Sequence, residues 1–174
     1  MNKAGFDAIP NLPEPESVGP RPWGEEILLA LVPEKYMVKR LLINKGNKGG
    51  LQYHRKKDEV AILIKGKMLI RWDDGSDELI EKIINPGDVV HFPPGAIHQE
   101  EALEDCEIIE ASTNHFNDRV RCEPLFGIED YDGLPTTEED ETEDSEGIPA
   151  LGAIGTLAAI AIGFVAVMRK EDEE

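Results

Sequence analysis

Up to residue 147 the chain is punctuated in a way that leaves few folds open. Apolar runs of four to eight residues alternate with turn-forming clusters, and no long helical period intervenes. The runs include Ile27–Leu31, Tyr36–Ile43, Val60–Ile64, Met68–Trp72, Leu79–Ile84, Val89–Phe92 and Cys106–Ser112. Between them stand Pro33-Glu34, the stretch Gly46–Gly50, Lys65-Gly66-Lys67, Asp73-Asp74-Gly75-Ser76, Asn85-Pro86-Gly87-Asp88 and Pro93-Pro94-Gly95. Such spacing predicts about eight or nine short strands, and so an all-β sandwich or small barrel.

Within that pattern Gly46–Gly66 reads as two strands joined by a charged turn. Side chains alternate faces along a strand, so Gln52 and His54 point the same way. Glu59 opens the next apolar run, and an antiparallel return brings it beside them. Imidazole, carboxylate and amide oxygen together suit a borderline divalent metal, with His98 as the candidate fourth ligand. Pro93-Pro94-Gly95 forces the corner that turns His98 inward, and Gly66 and Gly87 sit where turns call for positive φ.

The two motifs can be written Gly46-x5-Gln52-x-His54-x4-Glu59-x6-Gly66 and Gly87-x5-Pro93-x-Gly95-x2-His98. Together they resemble the two halves of the cupin signature, with Gln52 where histidine is commoner. The resemblance implies a double-stranded β-helix, a jelly-roll-like small barrel. It implies a metal on Gln52, His54, Glu59 and His98, zinc first, with manganese, iron, nickel or cobalt as alternatives. It also implies a homodimer, since many cupins pair.

Arg21-Pro22-Trp23-Gly24, Lys39-Arg40 and Gln52-Tyr53-His54 narrow the likeness to the mannose-6-phosphate isomerase type, especially the C-terminal domain of bifunctional isomerase/guanylyltransferases. That group also uses glutamine at the first ligand position. The match runs through Glu110–Thr113 and Asp118–Glu123. It departs at Phe126-Gly127-Ile128, where the type usually ends Tyr-Gly-Arg, leaving Arg121 as the arginine retained. The implied chemistry is aldose–ketose isomerisation of a sugar phosphate, with Arg121 or Lys39 as the cation for phosphate or developing negative charge. A non-catalytic, membrane-anchored cupin binding a sugar or nucleotide-sugar is the alternative. A metal-dependent oxygenase is the third reading.

Other charges of the β region read as solvated. Arg55-Lys56-Lys57 forms a turn able to attract an anion, and Trp23 is a packing residue. Cys106 and Cys122 are too few for a disulfide framework and read as buried thiols.

Outside residues 21–128 the composition changes. Residues 1–20, with four prolines, read as an irregular arm. Residues 129–147 hold ten acidic residues and no basic one, an extended linker. This acidity, within a net charge of -18, argues against nucleic acid as a partner. Residues 148–168 carry no charge, and 21 residues of helix match a hydrocarbon core of about 30 Å. They read as a single-pass C-terminal membrane anchor, followed by the charged tail 169–174. Arg169-Lys170 would hold the C-terminal end in the cytoplasm and the β domain outside. The absence of a visible N-terminal targeting peptide instead favours a cytoplasmic β domain, the side expected here.

Overall fold

The computed structural model describes residues 1, 3–8, 10–129 and 134–137. Eleven strands occupy them: β1 (Glu16–Arg21), β2 (Gly24–Val32), β3 (Tyr36–Ile43), β4 (Gln52–His54), β5 (Glu59–Lys65), β6 (Met68–Trp72), β7 (Ile80–Ile84), β8 (Val89–Phe92), β9 (His98–Ala102), β10 (Cys106–Ser112) and β11 (Arg119–Arg121). They form a six-stranded sheet in the order β1-β2-β3-β10-β5-β8 and a five-stranded sheet in the order β11-β4-β9-β6-β7. Every pairing is antiparallel. A short 3-10 turn, Glu123–Phe126, follows β11.

The interior has two halves, and strand parity explains both. On β3 the inward positions are Met37, Lys39, Leu41 and Ile43, on β5 Glu59, Ala61 and Leu63, and on β10 Cys106, Ile108, Glu110 and Ser112. Apart from Met37, which lies beyond Lys39 at the opposite end, the apolar members of each series gather at one end with Met68, Ile70, Ile84, Phe92 and Ala102, and Trp23 and Trp72 pack against this core. The polar members gather at the other end. Each strand thus runs from an apolar end into a charged one without changing face, so the core and the site share one interior.

Two glycine expectations hold: Gly66 has φ 91° and Gly87 φ 94°. At Gly66 a Cβ would also lie 2.5 Å from the Asp105 carbonyl oxygen, so no other residue fits the turn without backbone movement. Cys106 and Cys122 are buried and unpaired.

Three strands, β1, β9 and β11, have no counterpart among the predicted strands. The arm is ordered over Glu16–Arg21, an edge strand whose register shifts between Ser17 and Gly19. An edge tolerates the missing N–H of Pro20, which is why a proline-bearing segment can pair here. β11 carries two arginines in three residues and so has no apolar signal. The acidic linker lies largely outside the described residues, and the anchor of 148–168 and tail of 169–174 wholly outside them. Among the described residues no helix is long and apolar enough to cross a membrane.

Candidate metal centre

Three sequence-predicted ligands converge in the polar half. Ligand atoms of His54, Glu59 and His98 all lie within 4.8 Å of one another. Glu59 Oε1 is 3.7 Å from His54 Nε2 and 3.3 Å from His98 Nε2. Ligands held about 2.0–2.2 Å from a zinc-sized ion are themselves roughly 3.0–3.5 Å apart, so the cluster needs little movement to close on a cation.

The ring orientations fit that role. His54 Nδ1 is 3.3 Å from the Asp118 carbonyl oxygen, and His98 Nδ1 is 2.9 Å from that of Ala96. A proton on each Nδ1 donates to backbone and turns each Nε2 towards Glu59, where a lone pair is available once the ring is neutral. This is the outer-shell arrangement that orients histidine ligands. The Phe92 ring stacks on His98 with centroids 3.9 Å apart and further fixes that imidazole.

Gln52 sits two residues before His54 and directly opposite His98 in register. Antiparallel partners share a face, so Gln52 belongs to the same inner face as the three ligands.

Lys39 and Arg121, the two cations predicted for phosphate, are already paired. Lys39 Nζ is 2.7 Å from Glu26 Oε1 and 4.0 Å from Glu110 Oε1. Arg121 is ion-paired with Glu123, whose Oε1 also accepts from the Leu51 N–H at 2.8 Å. Arg121 Nη1 donates to the Leu134 carbonyl at 2.8 Å.

Lys57 departs most from expectation. It is 5% exposed rather than solvated. Its ammonium is ion-paired with Glu59 Oε2 and lies 2.8 Å from Glu110 Oε1. With Arg21 on Glu26 at 2.5 Å, a buried row of alternating charge runs Arg21, Glu26, Lys39, Glu110, Lys57, Glu59. The turn carrying Lys57 is held by Asp118, whose carboxylate accepts from the backbone N–H groups of Arg55 at 3.1 Å, Lys56 at 2.6 Å and Lys57 at 2.6 Å.

Glu100 is a further residue that sequence reasoning missed. It lies two positions beyond His98 on β9, opposite the core residue Ile70, and therefore faces inward. Counting by two from His98 would have found it.

The electrostatics follow from burial set against this row. Burial alone would raise the Glu59 pKa, but Lys57 and the two histidines hold it well below the usual carboxylate range. Burial opposes the charge on Glu26 too, yet Lys39 and Arg21 pull it down to about 2. Burial, reinforced by the Lys57 charge, lowers His54 to about 4. Burial also opposes protonation of His98, but its hydrogen bond to Glu59 and the charge there win and raise it. Burial pushes Glu100 up to about 7.

A metal requires both imidazoles neutral. At pH 6, above the depressed pKa of His54 at about 4 and below the raised one of His98, His54 is neutral and His98 is protonated. Binding of Zn²⁺ at pH 6 should therefore release about one proton from His98 and up to one more from Glu100, which is protonated at that pH and beside the incoming charge, and apparent affinity should fall about tenfold or more per pH unit lost. Calorimetry in buffers of different ionisation enthalpy counts the protons, and a count near zero would contradict this electrostatic assignment.

Residues 30–127 match the profile of the family described as Cupin. No curated protein matches the chain. Among solved structures, the capsular polysaccharide assembling protein CapF from Staphylococcus aureus superposes with a TM-score of 0.54 at 21% identity, over 68% of this chain and 33% of its own. KdgF from Halomonas sp. gives 0.50 at 19% identity, over 57% and 86%. A variant of oxalate decarboxylase from Bacillus subtilis gives 0.51 at 18% identity, over 64% and 32%. The chain thus spans about a third of the CapF and oxalate decarboxylase chains, and at these identities the likeness is one of fold alone.

Proposed function

The chain belongs to the cupin family, and from that premise we propose that its site holds one divalent cation and interconverts aldose and ketose forms of a sugar phosphate. The ligands are Gln52, His54, Glu59 and His98. The observation that carries the reading is the convergence of two backbone-oriented imidazoles on one oxygen of Glu59, beside an inward carboxylate at Glu100.

A divalent cation there would polarise a carbonyl and its neighbouring hydroxyl, acidifying the carbon-bound proton. Glu100, with a pKa near 7, is the group placed to take that proton from one carbon and return it to the next. Lys57 keeps Glu59 ionised as a ligand. Lys39 and Arg121, each held by a glutamate, add fixed positive charge to the wall against which negative charge develops on the substrate oxygens.

A non-catalytic cupin that binds a sugar or nucleotide-sugar is the second reading. It draws support from Ile128, which stands where isomerase-type chains end in arginine, and from the carboxylate pairing of both Lys39 and Arg121.

The test is a coupled assay converting mannose 6-phosphate to fructose 6-phosphate with metal-loaded full-length protein. Turnover is expected, with a loss of about 100-fold or more in Glu100→Gln, the usual scale for a removed acid–base group. No turnover by protein with metal bound would overturn the isomerase reading in favour of the second one.

A further inference from the structure

The interior charges near β1 and β11 pair off, with one left over. Arg21, Lys39, Lys57 and Arg121 each sit against a glutamate, respectively Glu26, Glu26 with Glu110, Glu110 with Glu59, and Glu123. Arg119 does not. It stands directly opposite His54 in the β4–β11 register, so its side chain leaves the sheet on the same face as that imidazole. Its Nε donates to the Pro135 carbonyl oxygen at 3.2 Å, and among the described residues neither terminal nitrogen has a hydrogen-bond partner.

We propose that Arg119 is the anion-binding residue of this site, and that its guanidinium takes the phosphate-monoester end of a substrate whose other end reaches His54, Glu59 and His98. This rests on the function proposed above and gives it the phosphate contact that Lys39 and Arg121 are not free to make. Directly opposed residues of an antiparallel pair have Cα atoms about 4.5–5.5 Å apart. One small elongated molecule can therefore touch both the arginine fork and the ligand cluster.

The backbone prepares the group for this. Residues 134–137 lie along β11, where Arg119 N–H donates to Thr137 Oγ1 at 2.8 Å and Thr137 N–H to the Arg119 carbonyl at 2.9 Å. The strap thus fixes Arg119 at its backbone and at Nε, leaving the planar edge of the two Nη groups to accept a bidentate anion. Burial and the charges of Arg21 and Arg121 disfavour the bare guanidinium cation, and the Glu26 charge offsets them in part. A bound anion would supply the missing counter-charge.

Inorganic phosphate is the probe, titrated into full-length protein with and without Mn²⁺ and followed by phosphorus relaxation and calorimetry. The expected result is saturable binding in both forms and paramagnetic broadening in the Mn²⁺ form. Arg119→Gln should weaken binding about tenfold or more, and Arg119→Lys, which keeps charge but loses the fork, by less. Metal content should be unchanged in both variants. Wild-type phosphate affinity in Arg119→Gln would overturn the proposal, as would failure of the wild type to bind saturably. If Arg119→Gln does not fold, Arg119→Lys decides, and unchanged phosphate affinity there overturns the fork contact. Phosphate binding that depends on Arg119 without sugar-phosphate turnover would sink the isomerase reading and leave the anion site standing.

Discussion

Lys57→Met should destabilise the metal-free protein by about 3–5 kcal/mol, the usual cost of removing one partner from a buried ion pair. The ammonium is buried and neutralises Glu59 on one side and Glu110 on the other. Methionine fills a similar volume, so the loss is electrostatic rather than a cavity. Glu59 and Glu110 would then face each other across an apolar side chain, without the cation they share. Divalent cation should recover much of the loss, because an ion on Glu59 restores positive charge beside it. Thermal unfolding with chelator and with Zn²⁺ reads both effects. A variant as stable as wild type under chelator would show that the charged row contributes nothing to the fold.

Asp118→Ala should be nearly as severe, with a cost of about 3 kcal/mol or more and a fall in Tm of about 10 °C or more. One carboxylate receives three backbone N–H groups, from Arg55, Lys56 and Lys57, and its residue is 6% exposed. Alanine leaves the N–H groups of exposed Lys56 and buried Lys57 without their acceptor, while the Arg55 N–H keeps the Asp118 carbonyl oxygen at 3.3 Å. The same turn follows His54 directly, and the Asp118 carbonyl orients the His54 ring. Metal affinity should therefore drop about 10–100-fold even though no ligand is removed. Asp118→Asn keeps an acceptor oxygen and should lose less on both counts. Equal metal affinity in wild type and Asp118→Ala would separate the turn from the site.

What could be read from the sequence divides along a physical line. Strands β3, β6, β8 and β10 have the bounds their apolar runs predict, because each carries enough apolar surface to declare itself. The cluster of His54, Glu59 and His98 was legible because turns at Gly66, Gly87 and Pro93–Gly95 fix their spacing. The charged row was not, because lysine and glutamate on a strand usually mark its wet face. Lys39, Lys57 and Glu110 are buried only because each has a partner on another strand, over separations that local sequence does not encode. Parity offered a clue. Lys39 shares its face with Met37, Leu41 and Ile43, and Glu110 with Cys106 and Ile108. Short β11 escaped because its three residues, Arg119–Arg121, are held by β4 and the 134–137 strap rather than by apolar burial.

The central claim is that His54, Glu59 and His98, with Gln52, form a metal centre. Metal analysis of purified full-length protein tests it most directly. After loading and desalting, the wild type should retain about one equivalent of divalent cation. The double variant His54→Ala/His98→Ala should retain none while keeping the β-sheet signature of the fold. Full metal content in that variant, or a wild type that holds no cation after loading, would contradict the assignment.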